Sequence, residues 1–118
     1  MTDTPFLPAN YFHEAAAELC KHGRFPTAAK LDELIDWAAE CEKHFDDGRK
    51  VPAFILHTIL AQIWDVLDQP SRTTDLSSLN RLLETIQAAS AELISPSTPE
   101  VMLEKSAALI RSAREWIN

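Results

Sequence analysis

The sequence predicts an all-α domain, a compact up-down antiparallel bundle of four to five helices with the third at its centre. Three observations carry that expectation. Apolar residues recur at three- and four-residue spacing in successive segments, and Gly, Pro or Ser-Thr clusters punctuate the gaps between them. β-branched residues never alternate with polar ones between hairpin turns. With 118 residues, 46% hydrophobic and 25% charged, the chain has the balance of an ordinary globular protein. A domain of that size removes roughly two thirds of its unfolded surface from water, so it folds without disulfide or metal staples. One domain over residues 1–118 is expected, opened by an irregular arm over residues 1–9.

The first helix is expected over residues 10–22, with Asn10 as N-cap and Gly23 as the left-handed residue that ends it. Phe12, Ala15, Ala16, Leu19 and Cys20 form its apolar side. The second starts near Pro26 and Thr27, because proline suits a first turn, and runs to about Asp46 before Gly48 stops it. Leu31, Leu34, Ile35, Ala38, Cys41 and Phe45 make its stripe, opposite Asp32, Glu33, Asp36, Glu40 and Lys43, so one face packs and the other is wet and acidic.

The third helix, residues 52–68, spreads apolar residues from Ala53 to Leu67 over about half its circumference. Such a helix needs at least two neighbours, which is why it belongs in the middle. Its remaining arc is only mildly polar and includes Phe54. The fourth, residues 75–94, carries the clearest stripe in Leu76, Leu79, Leu82, Leu83, Ile86, Ala89 and Leu93. The run from Ser95 to Pro99 stops it and starts a fifth helix, with Thr98 capping and Pro99 in the first turn. Met102, Leu103, Leu109, Ile110, Ala113 and Ile117 are its packing residues.

Several function classes are disfavoured by composition. Two glycines, Gly23 and Gly48, cannot make a phosphate-cradling loop, so no Rossmann fingerprint or P-loop is encoded. A formal charge of −7 opposes direct binding to nucleic acid. Residues 1–70 hold twelve acids against six bases, whereas residues 71–118 hold six against five, so the acidity is concentrated in the first part of the chain. Cys20 and Cys41 are too few for a disulfide scaffold, and the N-terminal residues lack a basic region followed by an apolar one. The most apolar stretch, residues 51–64, is interrupted by His57, Thr58 and Gln62 and falls short of the roughly 20 residues a bilayer core requires. A cytoplasmic location with no membrane contact and no cofactor is therefore expected.

Ala16, Leu19, Gly23, Phe25 and Ala28 stand at offsets that resemble the helix-turn-helix of a tetratricopeptide repeat. The resemblance covers under a quarter of the chain. A shift by the repeat's 34 residues brings Leu19, Gly23, Phe25 and Ala28 onto Ala53, His57, Ile59 and Gln62, which keeps little of the pattern. The resemblance therefore implies a helical hairpin and no array.

Glu14, Glu18 and His22 are spaced i, i+4, i+8, as are Asp36, Glu40 and His44, and each series is a conceivable metal-binding helix face. On a helical wheel both fall on the wet side, where carboxylates are solvated rather than tuned. His57 has Asp65 two turns further along its helix, a possible acid-base pair. Neither a Gly-x-Ser-x-Gly elbow, a Cys-x-x-Cys pair nor a His-Glu-x-x-His helix is present.

Trp37, Trp64 and Trp116 fall at the edges of their apolar arcs, where half-exposed rings either lid the core or anchor a partner. With Phe54 they are the expected partner-binding residues. The leading expectation is a non-enzymatic interaction or regulatory protein that binds a protein partner or a second copy of itself. A second is an acidic inhibitor or nucleic-acid mimic presenting Asp32, Glu33, Asp36, Glu40, Asp46 and Asp47 to a basic partner. A third is a metal-binding enzyme built on the Glu and His series.

Overall fold

The computed structural model describes residues 6–23, 27–67 and 76–117. Five helices follow one another: α1 (Leu7–His22), α2 (Ala28–His44), α3 (Lys50–Leu67), α4 (Leu76–Ile94) and α5 (Pro99–Ile117). No strand occurs among the described residues. Phe25, Pro26, Asp68 and Asp75 lie outside them, as does the side chain of Leu76.

α1 begins at Leu7, ahead of the expected start, so Asn10 lies inside the helix and residues 7–9 are not part of an irregular arm. Pro8 in the first turn is compatible with this, because the N–H it lacks would have had no helical partner. Phe6 fixes the entry. Its ring stacks on His44 at 3.8 Å and meets Phe45 edge-on at 5.7 Å, which ties the start of α1 to the end of α2. Gly23 closes the helix at φ 63°, its N–H bonded to the Leu19 carbonyl at 2.8 Å. Gly23→Ala is expected to cost about 1–2 kcal/mol, because the added Cβ is strained at that φ and would stand 3.2 Å from Asn80 Oδ1. A urea titration checks it.

Thr27 caps α2, its hydroxyl accepting from the Lys30 N–H at 3.3 Å. The helix stops at His44 rather than Asp46, and Phe45 turns into extended backbone while its ring stays in the core. Thr98 similarly accepts from the Val101 N–H at 3.4 Å as α5 begins.

α3 packs against α2, α4 and α5, and α4 against α1, α3 and α5, so these two helices share the middle of the bundle. α1 and α2 complete a four-helix ring with them, and α5 lies across the opposite side of the α3–α4 seam. A methyl on Gly48, just before α3, would meet Met102 Cε at 2.9 Å near the start of α5. α3 and α5 therefore begin at the same end of the bundle and run the same way. α3, with 18 residues and a mean hydropathy of 1.2, is the one helix among the described residues long and apolar enough by composition to cross a bilayer. In this fold Ala53, Leu56, Ile59, Leu60, Ile63 and Val66 fill the shared interior.

The turn between α4 and α5 is held by a buried acid. Glu92 is 1% exposed, and its carboxylate accepts from the Ser97 N–H at 2.9 Å, the Ser97 hydroxyl at 3.0 Å and the Lys105 ammonium at 3.0 Å. Burial alone would raise its pKa. The donors outweigh that and hold it below the usual glutamate range.

Candidate functional site

An apolar groove in the surface lies between α3 and α5. Phe54, Ile55, Thr58 and Ile59 of α3 face Ile110, Ala113, Arg114 and Ile117 of α5 across a groove of about 240 Å³. Its floor is apolar because α5 covers only one flank of α3. Phe54 stands at the edge, 53% exposed, while Val51 one turn earlier is also exposed. On α5, Leu103 lies seven residues before Ile110 on the same stripe and is 59% exposed, so the expectation that it packs inward is corrected. One turn and more beyond Phe54, Thr58, Ala61 and the charged Asp65 continue the outward stripe of α3 at i+4, i+7 and i+11.

The tryptophans divide. Trp64 is 37% exposed, next to an exposed Leu67 at the end of α3. Trp37 is half-buried against the core, with Tyr11 at 5.8 Å and the Lys30 ammonium 5.5 Å from its ring centre. Trp116 is buried at 3% exposure, which corrects its placement at an open edge and removes it from the partner-binding set. α5 sits against both α3 and α4, so a residue at the rim of an arc drawn for one neighbour is enclosed by two.

Asp32, Glu33, Asp36, Glu40, Asp46 and Asp47 are all exposed. Among the described residues, two of them are engaged by ion pairs. Glu33 pairs with Lys30 at 2.8 Å, and Asp47 receives Arg49 through both carboxylate oxygens, at 2.7 to 3.1 Å. The Arg49 hydrogen bonds hold the Asp47 carboxyl below its usual range, and the guanidinium itself lies 4.2 Å over Phe45.

The metal series are not assembled. Among the described residues no three His, Cys, Asp or Glu side chains come together as a ligand set. Glu18 and His22 form a pair at 3.3 Å on the surface, and His44 is stacked on Phe6 instead of facing Glu40. His57 does not use Asp65. Its Nδ1 lies 2.9 Å from Glu42 Oε2 on α2, a partner that spacing along α3 does not reveal. The Lys50 ammonium donates to the Glu42 carbonyl at 2.8 Å, so the three residues lace the α2–α3 hairpin.

A second histidine contact escaped the sequence reading. His13 Nδ1 is 2.7 Å from Ser90 Oγ, joining α1 to α4. The pair has the composition of a nucleophile and its base, but the Ser90 hydroxyl donates to the Gln87 carbonyl at 2.7 Å and therefore accepts from His13. Ser90 is also fully buried, so no substrate reaches it. Cys41 is equally enclosed, and burial, with the charge of Glu40 adding to it, pushes its thiol up to about 12. A protonated thiol of that kind is a packing group.

Compared with known proteins, the chain matches no family description, no curated protein and no solved structure.

Proposed function

We propose that this protein is a non-enzymatic interaction module that pairs with a second copy of itself through the α3/α5 face. The observation that carries the reading is Phe54, a large aromatic 53% exposed beside an apolar groove. A second copy suits the face because it is self-complementary. The exposed Phe54 ring and the apolar groove beside it lie on one face, so a two-fold axis lets Phe54 of each chain enter the other's groove. The acid-rich side chains of α1 and α2 stay outside the contact. Two half-exposed or buried free cysteines fit the reducing, cytoplasmic setting proposed for it.

Light scattering is expected to find a dimer, and added salt to strengthen it, because screening relieves repulsion between two chains of charge −7. Phe54→Glu is expected to give a monomer with an unchanged circular dichroism spectrum, since the side chain contributes little to the fold. A wild-type monomer at high concentration overturns the proposal, as does a Phe54→Glu dimer.

The acidic-inhibitor reading is favoured by one observation, the exposure of Asp32, Asp36 and Glu40 along α2. It predicts binding to a basic partner that weakens steeply with salt, the opposite response to that of the α3/α5 contact.

A further inference from the structure

On the far side of the bundle, α1 and α2 enclose an open cleft of about 380 Å³. Tyr11, Glu14 and Glu18 come from α1, and Lys30, Glu33 and Trp37 from α2. The two rings are 5.8 Å apart and tilted by 49°, which leaves a face of the indole toward the cleft. Three carboxylates meet one lysine there. Glu14 makes no ion pair among the described residues, Glu18 is shared only with His22, and Glu33 holds Lys30.

The position of Lys30 shows which chemistry the cleft accepts. Its ammonium lies 5.5 Å from the Trp37 ring centre and 2.8 Å from Glu33 Oε2, where a negative ring face and a carboxylate converge on one cation. The lysine side chain is 46% exposed, and surface ion pairs of this kind are weak enough to exchange. A single tethered cation thus occupies a place from which another of the same kind can displace it, while Glu14 and Glu18 remain to meet further positive charge.

We infer that the α1/α2 cleft docks a lysine-bearing basic segment of a partner protein, one of whose ammonium groups takes the place over Trp37 that Lys30 holds in the free chain. The cleft is open along its length, so a small amine would stay largely hydrated in it. A peptide adds charges in series, and Glu40, one turn beyond Trp37 on the same edge of α2, continues the carboxylate track. The inference stands independently of pairing through α3 and α5.

The test is titration of the full chain with a tetralysine peptide at low salt, read by the indole N–H resonance of Trp37 and by calorimetry. Lys30→Ala vacates the ring and is expected to tighten binding by about two- to fivefold more than Lys43→Ala, which removes the same charge from the outer face of α2. Glu33→Gln is expected to weaken binding more than Asp32→Asn. Trp37→Leu should weaken the binding read by calorimetry, with circular dichroism reporting that the helices persist. Equal effects of Lys30→Ala and Lys43→Ala overturn the inference, because they leave only a diffuse acidic surface. Butylammonium binding as tightly as the peptide overturns it as well, since the occupant is then a free amine.

Discussion

Glu92→Ala is expected to lower unfolding free energy by about 2–3 kcal/mol. The side chain is 2% exposed and gathers three donors, so its removal strands the Ser97 N–H and opens the joint between α4 and α5. Lys105 keeps 34% of its side chain in water and is able to turn outward, which places the loss below that of a wholly enclosed ion pair. Urea unfolding at neutral pH measures it. The effect also has a pH signature. Burial acts to raise the Glu92 pKa, but the bonds from Ser97 and Lys105 prevail and hold it below the ordinary value. A depressed folded pKa gives a stabilisation that is complete above the unfolded value, about 4.3 for glutamate, and is lost as pH falls through the folded one. The stability difference between the wild type and Glu92→Gln should therefore be constant from pH 7 to about 5 and shrink in stronger acid. A difference independent of pH would show that the carboxylate charge does not hold the joint.

Leu60→Ala is expected to cost about 2–5 kcal/mol, a large part of the roughly 5–15 kcal/mol that holds a domain folded. Leu60 is 1% exposed in the face of α3 that serves three neighbours, so the vacated space has walls from more than one helix and cannot close by a small shift of one. Phe54→Ala supplies the contrast on the same helix. It removes a larger side chain, yet one mostly in water, and should leave monomer stability within about 0.5 kcal/mol. Chemical denaturation of both variants, at concentrations where the protein is monomeric, separates residues that hold the fold from those free to meet a partner.

Most of the fold was legible because helix stripes and their stops are local properties. Gly23 and Thr27 ended and began helices where their chemistry places them, and the α4 stripe from Leu79 to Leu93 is buried as its spacing requires. What was missed depended on neighbours. α1 starts early because Phe6 finds His44 and Phe45 across the bundle, and no property of residues 7–9 announces that contact. Trp116 is enclosed because α5 spans two helices, and Leu103 is open because neither covers its side. The burial of Glu92 has no local signal, because it depends on the Ser97 turn folding back over the helix.

The candidate surfaces were legible to a different degree. Phe54 was singled out because it broke an otherwise mildly polar arc, a signal contained within one helix. The Tyr11–Trp37 cleft needs two helices in register, and its carboxylates read singly as solvated charge. His57 illustrates the same limit, since Glu42 is fifteen residues away and on another helix.

The link between His13 and Ser90 spans 77 residues and belongs to the broad contact of α1 with α4. A ribosome delivers α1 long before α4, so the first helix emerges with one flank matched by α2 and the other facing water. Native docking of that flank waits until residue 94 has cleared the exit tunnel. Loop closure across most of the chain then precedes the last apolar contacts, which places ring completion late in biogenesis.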